Sequence, residues 1–373
     1  MIKILFFVLL GCLSGLLPGL HPNLLSDTFS TGLRDDILLL SLMLGISIPL
    51  SYIPSIFMGV PQDSTLSLLP GQRLYLLGEG KSGLKYILRV ILITILISIL
   101  LLPLTSYTYP ILFDILTPVI RIILVLILIY MFLLEFMMNG LKRLYLSVLI
   151  ALLSGLLGLL FLDSIPNSLT VLFSGLFAMS SLSLTFSSEQ PSREIYRKIP
   201  VNYSTIILGV IGGYVADLLP VISSPAQMTL LLAPLLYKKD QNSVYDYLGF
   251  LVSVNVSHVI FAYPSVLLGH PRIGVLTHLT FVDVLDVIGG LSFLIMGMLI
   301  GYLLTKKMIT LPINYSRVRP LLLVYLPVFI FVLSGWMGLV VFLLATILGV
   351  ITVHLRVRRV YLMNVLLIPF ILS

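Results

Sequence analysis

Long apolar runs alternate with short polar segments along this chain. Runs of this kind cover 86–104, 119–138, 146–162, 285–304 and 337–353. A helix crosses about 30 Å of hydrocarbon with roughly 17 to 25 apolar residues, so each run is long enough to span a membrane. No loop is long enough to form a separate soluble domain. The pattern therefore predicts an all-α polytopic membrane protein.

The composition supports the same class. The 373 residues are 59% hydrophobic and 10% charged, with a mean hydropathy of +1.14. The net charge of +7 could indicate nucleic-acid binding. The Lys and Arg residues lie in short loops between apolar runs, however, where the positive-inside rule accounts for them. We therefore expect a multi-pass protein of the cell membrane, partnered by the lipid bilayer and by no nucleic acid.

The N-terminal segment carries the one cysteine of the chain, Cys12, in an apolar run. A single cysteine excludes an internal disulfide, and no metal-ligand cluster is present, so no metal site is predicted. Residues 1–17 resemble a signal peptide, with Lys3 followed by apolar residues. Because no small-x-small cleavage site follows, we interpret them as part of the mature fold.

A proline-broken motif occurs twice inside hydrophobic segments. Pro54-Ser55-x-x-x-Gly59-x-Pro61 recurs as Pro264-Ser265-x-x-x-Gly269-x-Pro271, at an offset of 264 − 54 = 210. Broken helices at matching places in the two halves of a membrane protein are typical of a transporter's binding site. The motif therefore indicates both an internal repeat and a transporter.

Another motif precedes this one in each half. Leu16-Leu17-Pro18-Gly19-Leu20-His21-Pro22 corresponds to Leu218-Leu219-Pro220-Val221-Ile222-Ser223-Ser224-Pro225, at an offset of 220 − 18 = 202. Each half therefore contains a broken segment, a polar loop, a second broken segment and further spans in the same order. The sequence thus predicts two membrane repeats, 1–200 and 201–373.

Equivalent loops of the two halves differ in charge. The loop after the second motif is basic in the first half, whereas its counterpart is acidic and has no Lys or Arg over 282–299. The next pair shows the reverse, because 103–118 has no Lys or Arg and 305–319 is basic. The residues concerned are Arg73, Lys81, Lys85, Arg89, Asp283, Asp286, Lys306, Lys307, Arg317 and Arg319. Basic loops stay in the cytoplasm, so the repeats are predicted to be inverted.

Inversion requires an odd number of crossings in each half. We therefore predict a re-entrant helical hairpin in each half, formed by 2–30 and by 203–236, followed by about five crossings with proline-broken helices. The crossings are assigned to 37–71, 88–104, 118–138, 146–163, 168–187, 247–281, 285–304, 320–334, 337–353 and 359–373. In the alternative topology, residues 2–30 cross the membrane fully.

The prolines of the four breaks are interpreted as helix starts. Proline is favoured at the first helical position and serine at the cap before it. Ser224-Pro225-Ala226-Gln227 fits a capping box, and His21-Pro22-Asn23, Val60-Pro61-Gln62 and His270-Pro271-Arg272 place proline in the same way. Helix starts present unpaired N–H groups and positive dipole ends, so several meeting in the membrane form an anion site without a buried Lys or Arg. The predicted substrate-binding residues are Pro18, Gly19, His21, Pro22, Asn23, Ser55, Gly59, Pro61, Gln62, Ser223, Ser224, Pro225, Gln227, Ser265 and Gly269.

Few ionisable residues lie near the breaks. Asp217, Asp63 and Asn255 are the candidates for ion coupling, because a carboxylate inside the membrane often carries a proton or binds Na⁺. Na⁺ as a coupling ion is the one candidate cofactor. Asp27 fits an interfacial position at the end of the first hairpin. His21 and His258 fit either substrate contact or packing.

Several other features are assigned structural roles. Gly209-x-x-Gly212-Gly213 predicts close helix packing, and Tyr107 and Tyr109 are interpreted as residues of the interfacial aromatic belt. Pro103 and Pro110 predict simple helix kinks.

The first broken segment, Gly15-Leu16-Leu17-Pro18-Gly19-Leu20-His21-Pro22-Asn23, resembles the membrane permease subunit of tripartite tricarboxylate transporters, the TctA-type family. The matching second-half segment runs from Gly213 to Gln227, and the His-Pro-Asn form resembles the archaeal branch. The resemblance implies a multi-span permease that moves carboxylates with an ion gradient, beside a small membrane subunit and a soluble binding protein. The chain is short for the family, and Val221 stands where the family prefers a glycine.

We therefore expect a secondary active transporter of a small organic anion, a di- or tricarboxylate coupled to Na⁺ or H⁺, and not an enzyme. The sequence contains no HExxH, no GxSxG and no paired carboxylate–histidine set. The alternatives are a flippase for an anionic lipid carrier such as polyprenyl phosphate, a membrane-embedded enzyme and a channel. The sequence also leaves open whether the protein forms a homodimer.

Overall fold

The computed structural model describes residues 2–29, 35–58, 70–185, 194–219, 228, 243–277, 283–311 and 315–373. These residues form helices and turns, with no β-strand among them. In chain order the helices are α1 (Ile2–Leu16), α2 (Pro22–Phe29), α3 (Asp35–Phe57), α4 (Pro70–Leu76), α5 (Gly80–Leu116), α6 (Ile120–Phe161), α7 (Ser168–Phe173), α8 (Ser180–Thr185), α9 (Tyr203–Leu218), α10 (Ser243–Phe261), α11 (Tyr263–Leu267), α12 (Val284–Met308), α13 (Tyr315–His354) and α14 (Asn364–Leu372). Short 3₁₀ turns cover Thr117–Val119, Gly274–Leu276 and Arg359–Met363, and a π-helix covers Ser174–Met179.

Five helical stretches within the described residues are long and apolar enough to cross a membrane. They are Asp36–Phe57, Gly80–Phe161, Val244–Leu267, Val284–Met308 and Val318–His354. Large apolar side chains on them face outward, such as Leu100 and Val332, each 79% exposed. Helices satisfy their own backbone hydrogen bonds, so such surfaces are stable in lipid. The prediction of an all-α polytopic membrane protein is confirmed.

The first two helices form a hairpin. The rings of Phe6, near the start of α1, and Phe29, at the end of α2, meet edge to face with centroids 5.3 Å apart. The chain turns between them through Gly19, whose φ of +86° suits a residue without a side chain. The 15 residues of α1 rise about 22 Å, which is less than the hydrocarbon thickness.

Glycines four residues apart bring α1 close to α3 in the first predicted repeat and α9 close to α10 in the second. A Cβ added at Gly11 would lie 2.8 Å from the Met43 carbonyl oxygen, and one at Gly15 2.9 Å from that of Ser47, both on α3.

The second half repeats this contact with α9 and α10. A Cβ added at Gly209 would lie 2.8 Å from the Phe250 carbonyl oxygen, and one at Gly213 2.9 Å from that of Val254. The close packing predicted for the Gly209–Gly213 stretch is confirmed.

Helices α3 and α10 each also pack on a long helix of the other predicted repeat. On one side, α3 lies against α12, where Gly45 and Gly297 bring the two backbones into contact. On the other side, α10 lies against α5, where the Thr94 and Ser253 hydroxyls share a hydrogen bond of 3.0 Å. The two halves are therefore interleaved around α3 and α10.

Adding a methyl group at Gly45 is expected to separate α3 from α12. A Cβ there would collide with the Leu294 carbonyl oxygen, and strain of this kind costs about 1–3 kcal/mol of unfolding free energy. Gly289→Ala on α12 is the matched control, because its Cβ would meet a movable Leu38 methyl at 3.0 Å. Thermal unfolding in detergent should show a lower Tm for Gly45→Ala alone. Equal Tm values for both variants would contradict the packing.

The first long helix departs from the predicted spans. A span ending at 104 and a loop to 118 were predicted, but α5 continues through Pro103 and Pro110 to Leu116. A proline removes one backbone hydrogen bond, but here the helix continues on both sides of each proline. Left-handed glycines instead interrupt the long helices, Gly140 within α6 and Gly335 within α13, in gaps predicted between spans.

Candidate substrate cavity

A cavity of about 520 Å³ lies beside the first proline break, Pro18–Asn23, where it meets helices of both predicted repeats. We call this segment the first break. Its wall is formed by the break and the start of α2, by α3, by α10, by the turn after α11 and by the segment from Asn167 through the π-helix. Cavities of this size bind small molecules. The wall therefore includes the first break and Asn255, which the sequence assigned to the site, together with residues that it did not assign.

The predicted substrate residues fall into three groups. Gly19, His21, Pro22 and Asn23 line the cavity, together with Asn255 from the ion-coupling set. Residues that are described but do not line it are Pro18, Ser55, Ser265, Gly269 and the ion-coupling candidate Asp217. Residues outside the described part of the chain are Gly59, Pro61, Gln62, Asp63, Ser223, Ser224, Pro225 and Gln227. The structure therefore brings the first-break residues together with Asn255.

The first break has the geometry expected of a helix start. Helix α2 begins at Pro22, and the Nδ1 atom of His21 accepts a 3.1 Å hydrogen bond from the Asn23 backbone N–H. The imidazole is therefore the N-cap, and its Nδ1 carries no proton in this arrangement. One of the N–H groups expected to face an anion is thus already satisfied within the protein.

Removing this cap should loosen α2. His21→Ala is expected to destabilise the start of the helix by about 1 kcal/mol, whereas His21→Asn keeps a side-chain acceptor and should restore it. Hydrogen–deuterium exchange over 23–26 measures the effect. Faster exchange in the alanine variant alone is the expected result, and identical exchange in all three proteins would exclude capping by His21.

The second copy of the Pro-Ser motif, Pro264–Pro271, does not end in a helix start. Gly269, with φ +72°, closes α11, because its N–H binds the Val266 carbonyl at 3.0 Å and the His270 N–H binds that of Ser265 at 3.2 Å. The helix start expected at Pro271 is absent and was wrong. Instead, the chain is extended at Ile273 and then forms the 3₁₀ turn Gly274–Leu276. Gly274 of this turn packs against Asn23 of the first break.

The turn at Gly274 lies close to the Asn23 side chain. A Cβ added at Gly274 would lie 2.6 Å from the side-chain Nδ2 atom of Asn23, so the absence of a side chain at Gly274 permits the contact. The Asn23 backbone carbonyl accepts from the Ser26 hydroxyl at 2.6 Å. The side-chain oxygen of Asn23 is buried and accepts no hydrogen bond within the described chain. Asn23 therefore has an unused hydrogen-bond acceptor at the cavity wall.

Among the described residues that line the cavity, Arg272 is the one Lys or Arg. Its Nε donates to the Tyr109 hydroxyl at 3.2 Å, and its Nη2 donates to the Leu218 carbonyl at 3.4 Å. The guanidinium also lies over the Phe113 ring, 5.1 Å from the centroid. These contacts hold Arg272 between α5 and the end of α9. The sequence analysis did not include Arg272 among the site residues, and the structure places it in the cavity wall.

Tyr109 has a different role from the one predicted. Tyr107 is 72% exposed, as a belt residue should be, but Tyr109 is fully buried, so its assignment to the belt was wrong. Successive helical residues point in different directions, and only one of these two tyrosines faces lipid. Tyr109 positions Arg272.

A buried carboxylate lies behind the cavity. Asp217 is fully buried near the end of α9, and its Oδ1 is 3.6 Å from Nδ1 of His258, which lines the cavity. Neither Asp217 oxygen accepts a hydrogen bond within the described chain. Arg272 donates to the carbonyl of Leu218, the residue that follows Asp217. Removing a carboxylate from water without hydrogen bonds is costly, so its protonation and its partners are coupled.

Asn255 connects the two crossing helices. Its amide donates to the Tyr52 hydroxyl of α3 at 3.2 Å, and it lies three residues before His258 on one face of α10. Asn255 and His258 therefore present polar groups side by side in the cavity.

Sequence reasoning missed several parts of the wall, among them Ser47 and Ser51 of α3, the Asn167–Ala178 segment and Arg272. The Asn167–Ala178 segment, which ends in a π-helix that supplies Ser174, carried no recognisable signal. Arg272 carried one, because the offset of 210 pairs it with Gln62, a predicted substrate residue (62 + 210 = 272). Aligning the repeats residue by residue would have found it.

Broken membrane helices around a polar cavity define the class of membrane transporters. The model of the tripartite tricarboxylate transporter TctA family matches residues 1–202, which is more than half of the chain. The chain therefore belongs to the TctA family, as its first broken segment predicted, and it has a transporter role. No curated protein matches the chain. No solved structure matches it either.

Proposed function

We propose that the protein is a secondary active transporter that moves a small organic anion, a di- or tricarboxylate, across the membrane with Na⁺ or H⁺. The observation that carries this proposal is the placement of Arg272, with the His21 and His258 side chains, on one cavity wall. A guanidinium recognises a carboxylate with two parallel hydrogen bonds, which a lysine cannot supply.

The geometry of Arg272 supports this role. Within the described chain, Arg272 donates hydrogen bonds from Nε and Nη2, and its Nη1 makes none. The side chain is fixed by Tyr109, Leu218 and Phe113, so binding costs little further ordering. Asp27 also lines the cavity and would repel an anion, which favours binding nearer to Arg272.

We propose that Asp217 and His258 couple the anion to the driving ion. The buried carboxylate needs a proton, a Na⁺ ion or a charged histidine to be stable. It lies 3.6 Å from His258 of the cavity wall and next to Leu218, whose carbonyl accepts from Arg272. A change in its charge would alter the field that Arg272 experiences. Substrate and ion would thereby influence each other's binding.

We propose that alternating access comes from two inverted repeats. The paired glycines of α1 and α9 and the reciprocal packing of α3 on α12 and α10 on α5 support this division. In such folds, access alternates when one repeat moves against the other around a fixed site. Cysteines introduced at Lys81 and Asp286 should label from opposite sides of the membrane, and labelling from one side would contradict inversion.

We propose two partners on the basis of the tripartite family, a soluble binding protein and a small membrane subunit.

Purified protein in liposomes should bind labelled citrate or succinate and accumulate it under an inward Na⁺ or H⁺ gradient. Protein-free liposomes give the background. Failure of both binding and uptake, together with binding of a polyprenyl phosphate, would favour the flippase instead.

A further inference from the structure

A second cavity, of about 910 Å³, lies where α5 begins and α12 ends. Six of its lining residues are cationic: Lys81, Lys85, Arg89, Arg197, Lys198 and Lys306. No carboxylate among the described residues lines it. We call it the basic cavity.

Neighbouring carboxylates pair with two of these cations. Lys81 lies 2.8 Å from Glu194, and Arg197 lies 3.6 Å from Glu79. The other four cations have no carboxylate partner in the described part of the chain; they are Lys85, Arg89, Lys198 and Lys306. The basic cavity therefore keeps a positive charge that an anion would neutralise.

Hydrogen bonds fix the 194–198 segment, which carries two of the cations, against the start of α5. The Ser82 hydroxyl donates to the Ile195 carbonyl at 3.1 Å and accepts from the Arg197 N–H at 2.9 Å. The Ile195 N–H donates to the Gly78 carbonyl at 2.8 Å. These bonds tie the 194–198 segment across the start of α5. Residues from three separate segments thus form one site.

Aromatic rings line the same site. The Lys85 ammonium lies over the Tyr196 ring at 4.8 Å, and Tyr302 lines the cavity from α12. Tyrosines gather at the membrane–water interface, and basic loops lie on the cytoplasmic side. Buried Leu88 and Ile309 add apolar surface to the wall. The basic cavity therefore has the composition of a site at the level of the lipid head groups.

We propose that the basic cavity binds a phosphate group, and that this phosphate belongs to an anionic phospholipid. Several lysines around one pocket suit a phosphate, whose oxygens accept hydrogen bonds from many directions. Two membrane-length helices, α5 and α12, border the pocket, so a head group can enter while its acyl chains stay in the bilayer. Basic pockets between membrane helices on the cytoplasmic side bind such head groups. This site is independent of the transported substrate.

The test compares two variants of the full-length protein that lose the same charge. The site variant carries Lys85→Gln, Arg89→Gln, Lys198→Gln and Lys306→Gln. The control variant carries Lys3→Gln, Arg121→Gln, Lys142→Gln and Lys307→Gln, at exposed positions that do not line the basic cavity. Each variant loses three lysines and one arginine. Thermal unfolding verifies that both remain folded, and Lys85→Gln with Lys306→Gln serves as a milder site variant.

Binding of fluorescent phosphatidylglycerol to the protein in neutral detergent is the readout, with phosphatidylcholine as the uncharged comparison. The Kd for phosphatidylglycerol is expected to rise at least about tenfold in the site variant and to change little in the control. Equal weakening in both variants would overturn the site. Displacement of the lipid by inorganic phosphate or glycerol phosphate at matching concentrations would overturn the lipid assignment and give the site to a free phosphate.

Discussion

Arg272→Gln is expected to weaken binding of a di- or tricarboxylate by about 10- to 100-fold. Hydrogen bonds to a charged group contribute about 1.5–3 kcal/mol, and 1.4 kcal/mol corresponds to a factor of ten in Kd. Glutamine keeps part of the side-chain volume and can still donate to a neighbour, but it has no charge. Radioligand binding to the purified protein, followed by uptake into liposomes, measures the loss.

Three further variants make this result specific. Arg121→Gln removes a guanidinium from an exposed position outside the cavity and should bind normally. Arg272→Lys should recover less than half of the binding free energy that Arg272→Gln loses, because an ammonium group cannot form a bidentate contact with a carboxylate. Tyr109→Phe removes the hydroxyl that holds Nε and should cause a smaller loss than Arg272→Gln. Unchanged binding in Arg272→Gln would remove Arg272 from the site.

Asp217→Asn is expected to abolish accumulation against a gradient while leaving exchange of substrate intact. Asparagine has nearly the same shape, but it neither takes up a proton nor balances a cation in this buried position. Uptake should then reach equilibrium and stop, whatever the Na⁺ or H⁺ gradient. Uptake driven by a gradient, compared with counterflow in the same liposomes, separates the two effects.

The control for this variant is Asp163→Asn, which changes a carboxylate in an exposed turn. It should accumulate substrate like the original protein. His258→Gln removes the imidazole beside Asp217 and should also weaken coupling, since the two side chains lie 3.6 Å apart. Full accumulation by Asp217→Asn would show that this carboxylate has a structural role. Loss of both accumulation and exchange would likewise contradict a specific coupling role.

The local part of the site was predictable from the sequence. Proline at the first position of a helix is a short-range preference, so Pro22 correctly marked the start of α2, and the residues around it line the cavity. The span gaps near Gly140 and Gly335 followed from the apolar pattern in the same way. Helix class and membrane length needed no tertiary information.

The contacts between distant segments were not predictable in this way. Asp217 and His258 were each singled out, but nothing in either segment indicates that they meet. Burial of Tyr109 depends on which face of α5 the rest of the chain covers. The residues around Pro103 and Pro110 do not by themselves show that α5 continues through both prolines. The helix predicted at Pro271 gave way to the 3₁₀ turn that brings Gly274 to Asn23. Tertiary packing decided each of these outcomes.

The central claim is that the cavity beside the first break binds the transported anion, and protection of one cysteine tests it directly. Cys12→Ala removes the single native thiol, and Ser51→Cys then places one in the cavity wall on α3. Ser164→Cys, in the exposed turn after α6, is the control. A saturating tricarboxylate is expected to slow modification of Cys at position 51 by a charged thiol reagent, and to leave position 164 unchanged. Equal modification rates with and without the anion at position 51, in protein that still transports, would contradict the claim.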